Sequence, residues 1–150
     1  MAECGFADIP GGATGKVLLV ANGPSILVDI GFDLNWKPSP TGVPVAGIQG
    51  ARALVDTGAT ICCIDNMLAV QLNLPMVDRQ PIAGVGGKHT ANIYLAQIHV
   101  PSLKFTMHGQ FAGVDLKAGG QQHDALMGRS FLSALSLVYD GKTGKVTLNK

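Results

Sequence analysis

Charge is scarce in this chain: 14% of its 150 residues are charged, and the formal net charge is +1. Its lysines and arginines are scattered, with no basic run. The sequence therefore lacks the electrostatic footprint that nucleic acid or an anionic membrane surface requires, and neither is expected as a partner. Cysteines number three, Cys4, Cys62 and Cys63. An odd count with two adjacent argues against a disulfide framework. Cys62 and Cys63, inside Thr60-Ile61-Cys62-Cys63-Ile64, read as small apolar packing residues, with no positioned histidine to make a catalytic thiol. No apolar window reaches the length of a membrane span. Residues 1–5 carry neither the basic region nor the apolar core of a signal peptide, so a cytoplasmic chain is expected. Repeats are absent. His89, His99, His108 and His123 lack metal-ligand spacing, and no His-Glu-x-x-His or Cys-x-x-Cys occurs, so neither metal nor cofactor is expected. Gly-Lys-Thr at 141–143 lacks the preceding glycine spacing of a phosphate-binding loop and reads as a hairpin turn.

What the chain does have is glycine, 20 residues of it, with eight prolines and 47% hydrophobic residues in many short runs. That combination predicts mainly β structure with tight turns. The length allows one domain with a core that needs no staples. Residues 1–15, with Pro10-Gly11-Gly12, read as a loose N-terminal arm, and residues 16–150 as a single domain. Strands are predicted over 16–20, 25–31, 45–49, 51–56, 77–83, 90–100, 103–114 and 124–127, with a terminal hairpin formed by 137–140 and 145–149. Asn22-Gly23 reads as a hairpin turn between the first two strands. A helix is predicted over 66–72, capped by Asp65, with Met67, Leu68 and Leu72 as its apolar face and Asn73 with Pro75 as its stop. A second short helix is predicted from Arg129 to about Leu135. Residues 33–46, with three prolines and Trp36, form a long connection that is either inert or a wall of a cleft.

One segment carries chemistry. The apolar run Ala53-Leu54-Val55 delivers Asp56 into the small-residue turn Thr57-Gly58-Ala59. A carboxylate at the end of a buried strand is costly unless it is hydrogen-bonded or used. Gly58 lets the backbone approach that carboxylate, and Thr57 adds a hydroxyl. Two further segments follow in order. Pro81-Ile82-Ala83-Gly84-Val85-Gly86-Gly87 lies between extended stretches, and Gly84, Gly86 and Gly87 read as positive-φ positions of a hairpin tip. Leu126-Met127-Gly128-Arg129 then leads from a strand into a helix, with Gly128 permitting close packing.

Asp56-Thr57-Gly58-Ala59 resembles the signature turn of aspartic proteases of the retroviral type, the retropepsins. Leu126-Met127-Gly128-Arg129 resembles their apolar-apolar-Gly motif, and the glycine-rich hairpin is similar to their flap. The resemblance covers roughly residues 25 to 149. It implies a closed barrel of short strands with a flap hairpin and one or two short helices, functional as a homodimer. It implies catalysis by Asp56 with Thr57 and Gly58, a flap of Gly84, Val85, Gly86 and Gly87 over substrate, and support of the site from Ala59, Leu126, Met127, Gly128 and Arg129. Peptide hydrolysis of this kind needs two carboxylates facing one water and sharing a proton, so an acid protease is expected. Asp-Thr-Gly occurs once, and Asp29, Asp115 and Asp124 lack the Thr-Gly turn. The second carboxylate must come from a second copy. Substrate would bind as an extended peptide strand.

Two departures stand out. Where retropepsins often carry an acid to pair with the arginine, this chain has Thr60, which leaves Asp65 as a candidate partner for Arg129. The chain is also longer, with an added N-terminal hairpin expected before residue 25. A competing reading is a dimerisation or peptide-binding module of the same fold with negligible hydrolysis. The intact triplet favours the enzyme, because a pure binding module has little reason to keep a costly carboxylate pair.

Overall fold

The structure, a computed structural model, describes residues 1–38, 47–84 and 86–150. Among the described residues ten strands and three α-helices follow in chain order: β1 (Ala2–Glu3), α1 (Gly15–Asn22), β2 (Ser25–Gly31), β3 (Ile48–Val55), β4 (Cys63–Asp65), α2 (Asn66–Gln71), β5 (Met76–Gly84), β6 (Gly87–Val100), β7 (Phe105–Val114), β8 (Ala125–Met127), α3 (Arg129–Leu132), β9 (Ser136–Asp140) and β10 (Lys145–Asn149). Six strands close a barrel in the order β2-β3-β8-β4-β7-β6, because β6 pairs back onto β2. The β3–β8 and β4–β7 contacts are parallel, and the other four are antiparallel. Among the described residues β5 pairs only with β6, and it extends beyond the barrel as one arm of a long hairpin. A separate sheet, β1-β10-β9, covers one end. The chain is thus mainly β, as its glycine-rich, short-run sequence predicts.

The barrel is filled by aliphatic residues of alternating strands. Val28 and Ile30 of β2, Ala53 and Val55 of β3, Ile64 of β4, Ile98 of β6 and Met127 of β8 belong to one buried cluster. Phe111 and Phe131, the largest fully buried side chains among the described residues, join them. The terminal sheet contributes Ala2, Val146 and Leu148 to the same core. α2 is capped as predicted: Asp65 accepts from the Leu68 backbone N–H at 3.3 Å. Its inward residues are Leu68 and Ala69, whereas Met67 is exposed, so the apolar face is rotated from the one expected.

Three expectations are corrected. Residues 1–15 are not a loose arm at their start. Ala2 pairs with Leu148 and Glu3 with Thr147. Cys4 donates its N–H to Val146 and accepts from Ser25, both at 2.8 Å. Burial of Ala2 and Cys4 supplies the apolar gain that holds this segment down. Residues 16–20 are helical and belong to α1. Thr14 caps it by accepting from the Val17 N–H at 3.3 Å, and Gly23 ends it at φ 69°. A five-residue apolar run does not separate helix from strand; the cap at Thr14 and the left-handed stop at Gly23 decide it. Asn22-Gly23 is therefore a helix terminus and not a hairpin turn. Finally, α3 ends at Leu132, short of Leu135.

Of the expected strand over 45–49, residues 48 and 49 form the start of β3. Residues 45 and 46, like the rest of 39–46, lie outside the described residues. The preceding segment is tied to the barrel: Gln97, buried on β6, accepts from the Asp33 N–H and donates to the Asp33 carbonyl, each at 2.8 Å. Its amide also contacts His108 Nδ1 at 3.1 Å, and Trp36 stacks on the His108 ring with centroids 5.8 Å apart. Among the described residues no helix is long and apolar enough to cross a membrane.

His123, just before β8, is a buried titratable group. It is 2% exposed, and its Nε2 lies 2.9 Å from Ser25 Oγ. Burial first, then the positive charges of Arg52 and Lys117, hold its pKa below the ordinary value, with Asp124 opposing them weakly. The unfolded chain therefore binds the proton more readily than the folded one. Stability from this group is complete above the ordinary histidine pKa of about 6.5 and is lost as pH falls toward the folded value. The midpoint of thermal unfolding should drop as pH falls below about 6.5. His123→Gln should flatten that part of the curve, and an unchanged slope in the variant would show that another group is responsible.

Candidate active site

β3 ends at Val55, whose N–H donates to the Pro24 carbonyl at 2.8 Å. The next residue, Asp56, donates its N–H to the Met127 carbonyl at 3.1 Å, so the turn is hung on the end of β8. The parallel register Ala53↔Ala125, Leu54↔Leu126, Val55↔Met127 fixes this placement. Within the turn, the Gly58 N–H donates to Asp56 Oδ1 at 2.8 Å, and the Ala59 N–H donates to the Asp56 carbonyl at 3.3 Å. The carboxylate thus has a fixed orientation with one oxygen held by the backbone. Asp56 is half-buried, and Thr57 and Gly58 are exposed in the single chain.

Behind the turn, Gly128 makes the close approach that its sequence position suggests. A Cβ there would lie 2.5 Å from the Ile61 carbonyl oxygen and 2.9 Å from that of Ala59. The Arg129 N–H donates to Ala59 at 2.9 Å, and the Ser130 N–H donates to Thr60 at 3.1 Å. The Arg129 guanidinium donates from Nη1 to the Thr57 carbonyl at 2.8 Å and from Nη2 to Thr60 Oγ1 at 2.9 Å. Thr60, noted in the sequence only as a missing acid, is thus the partner of Arg129. Asp65 is not. It is buried, caps α2, and accepts from the Leu116 and Lys117 N–H groups at 2.9 and 3.1 Å. A neutral hydroxyl with a backbone carbonyl replaces an ion pair here; the signal available in the sequence was the hydroxyl of Thr60 itself.

The β5–β6 hairpin turns between Gly84 and Gly87, which face each other in the ladder. Val85 lies outside the described residues. Of the three glycines expected at positive φ, only Gly87 has it, at 98°. β5 is exposed along almost its whole length, so the hairpin stands off the barrel. Ile82 is its half-buried residue. It packs on a small second cluster with Cys63, Ala91, Ile93 and Ala112, to which Ile61 and Leu126 also belong. That cluster joins the hairpin arm to β4 and to β8, the strand on whose end the Asp56 turn hangs. Burial, with lesser contributions from Cys62 and Asp56, pushes the Cys63 thiol up to about 11. It stays protonated and packs as an apolar group, as the sequence suggests.

An Asp-Thr-Gly turn hung on a closed β barrel, backed by an apolar-apolar-Gly-Arg segment, defines an aspartic-protease-like chain. The family described as gag-polyprotein putative aspartyl protease matches residues 43–134, a span that holds the turn, the hairpin and Arg129. The chain belongs to that family. No curated protein matches the sequence. Among solved structures, EIAV protease complexed with the inhibitor HBY-793 is similar, with a TM-score of 0.49 and 17% identity over 74% of this chain and 86% of that one.

Proposed function

We propose that this protein is an aspartic endopeptidase that works as a homodimer, with Asp56 and the partner's Asp56 placed around one water. The single observation that carries the reading is the Asp56 turn itself. One carboxylate, oriented by the Gly58 N–H, sits half-open at the end of a barrel strand, and the chain has one such turn. One ionised carboxylate takes the proton of the water, and the other, protonated, donates to the peptide carbonyl. Like charges about 3 Å apart cannot both ionise, so the pair shares one proton. Thr57 and Gly58 shape the turn, Ala59 and Leu126 to Arg129 support it, and Gly84 to Gly87 close over an extended peptide. No metal or cofactor enters this chemistry.

The test is hydrolysis of a denatured protein substrate, with and without a peptide transition-state inhibitor of aspartic proteases. Cleavage that the inhibitor blocks supports the enzyme. Tight peptide binding without cleavage would favour the binding-module reading.

Two further results are expected. Specific activity should fall on dilution, because each half-site is inert alone. Full activity in a species that sediments as a monomer would overturn the shared site. The hairpin should respond to backbone stiffening at one position. Gly87→Val places a β-branched residue at φ 98°. That conformation costs about 1–3 kcal/mol for a residue with a side chain, so turnover should fall roughly tenfold while the barrel stays folded. Gly86→Val should cost less, since Gly86 lacks positive φ and its added carbon would meet only the movable His89 ring at 3.3 Å. Equal turnover in Gly87→Val and wild type would remove the hairpin from the catalytic cycle.

A further inference from the structure

We propose that His108 is a proton-operated latch: neutral, it holds residues 33–36 against β6 and β7, and protonated, it lets them go. The latch is separate from the chemistry at Asp56 and does not depend on it.

The protonation state of the closed latch follows from two backbone groups that have no choice of role. The Asp33 N–H can only donate, so the Gln97 atom 2.8 Å from it is the amide oxygen. The Asp33 carbonyl can only accept, so the Gln97 atom 2.8 Å from it is the amide nitrogen. That same nitrogen lies 3.1 Å from His108 Nδ1. An amide nitrogen donates and does not accept, so Nδ1 must accept, and the ring is neutral with its proton on Nε2. Two further rings stack on it, Trp36 with centroids 5.8 Å apart and Phe32 at 6.4 Å. Gln97 is buried, so a bond that it loses is not made up by solvent.

A second proton on the ring turns Nδ1 into a donor and sets two donors face to face. Turning the Gln97 amide over would satisfy Nδ1 but would break both bonds to Asp33. Either way a buried bond is lost, and histidine is the side chain whose charge changes between about pH 5 and 8. His108 is exposed, so the proton reaches it freely. The charged and titratable groups around it offer no acceptor in exchange. The Asp33 carboxylate accepts from the Asn35 N–H at 2.9 Å. On β6, His99 Nδ1 bonds Thr106 Oγ1 of β7 at 2.9 Å, and on β2, Asp29 accepts from the Gly50 N–H at 3.0 Å. Lys37, next to Trp36, is a cation like the charged ring. Among the described residues none of these forms an ion pair with His108, and residues 39–46 carry no charged side chain. Stacking on Trp36 favours the charged ring, but such a contact is weak at an exposed site. The Trp36 indole N–H is buried with no partner among the described residues, and release gives it water to bond. β6 runs from Gly87 to Val100, so the latch grips the strand whose far end forms the hairpin.

Trp36 is the one tryptophan of the chain, so its fluorescence follows the latch directly. Quenching of wild type by acrylamide should rise roughly twofold from about pH 7.5 to about pH 5.5, with circular dichroism unchanged, as Trp36 leaves the ring. Over the same range the protection of the Asp33 N–H against hydrogen exchange should fall roughly fivefold, the loss of one hydrogen bond. His108→Gln cannot titrate but can still accept from Gln97, so both readings should stay constant in it. His123→Gln should keep the wild-type change, which separates the latch from a loss of overall stability in acid. Dimmer emission without new access to acrylamide would show that the ring charges while the latch stays shut, and would overturn the proposal. Constant Asp33 protection in wild type, a measurement that needs no variant, would overturn it too, as would an equal rise in quenching in His108→Gln.

Discussion

Asp56→Asn abolishes peptide hydrolysis and leaves the fold intact: that is the largest effect expected of any single substitution. The amide keeps the shape of the side chain, and its oxygen can still accept from the Gly58 N–H, a contact of 2.8 Å in the native turn. It cannot take a proton from water. Loss of a general base of this kind lowers the rate by roughly 100-fold or more. In the proposed homodimer both half-sites would carry the change, so no intact carboxylate would remain. The check is kcat/KM on a denatured substrate beside the thermal midpoint of the variant. A variant that folds as wild type and keeps more than about 1% of its rate would remove Asp56 from the mechanism.

The second large effect falls on stability. Gly128→Ala adds one carbon where nothing can move aside. The new atom would lie 2.5 Å from the Ile61 carbonyl oxygen, 2.8 Å from its carbon and 2.9 Å from the Ala59 oxygen. All three are backbone, so no rotamer relieves the clash. Gly128 has φ −80°, which any residue adopts, so the cost is one of space and not of backbone conformation. Overpacking of this kind costs about 1–3 kcal/mol. The urea midpoint should drop accordingly. Activity should fall further than stability alone requires, because Ala59 and Ile61 belong to the segment that shapes the Asp56 turn. Gly84→Ala is the control, since a Cβ there meets nothing within 4 Å. Equal urea midpoints for the two variants would show that the strand behind the turn gives way easily.

The parts of this molecule that can be read from its residues are those in which a local pattern and the tertiary contact agree. Asp56-Thr57-Gly58 is legible because carboxylate, hydroxyl and glycine form one turn, and the turn's main contacts are to its own backbone. The β5–β6 hairpin is legible because alternation and glycines coincide. Asp65 can be placed as a helix cap from its position before Asn66. Its bonds to Leu116 and Lys117 cannot, because they join distant segments. β4 is not legible: three residues are too few for a periodic signal, and Cys63-Ile64-Asp65 becomes a strand only between β7 and β8. The partner of Arg129 is hidden because an arginine suggests a carboxylate, whereas the fold presents a carbonyl and a hydroxyl. The start of the chain misleads for a similar reason. Glycine and proline near residue 10 speak for looseness, and the strand that overrides them lies far away in sequence, at residues 145–149.

The same long-range ladder sets when the molecule can close during synthesis. Ala2 leaves the ribosome long before its partner Leu148. Their pairing cannot form until residues 145–149 have emerged, and closing so long a loop is entropically costly until the barrel has drawn the two segments together. The barrel strands between residues 25 and 127 can assemble earlier, with the core end under β10 still open to water. A nascent chain would therefore carry a complete Asp56 turn before it has its terminal sheet. During that interval Ala2 and the core end that Val146 and Leu148 later cover are the apolar surface a chaperone would meet.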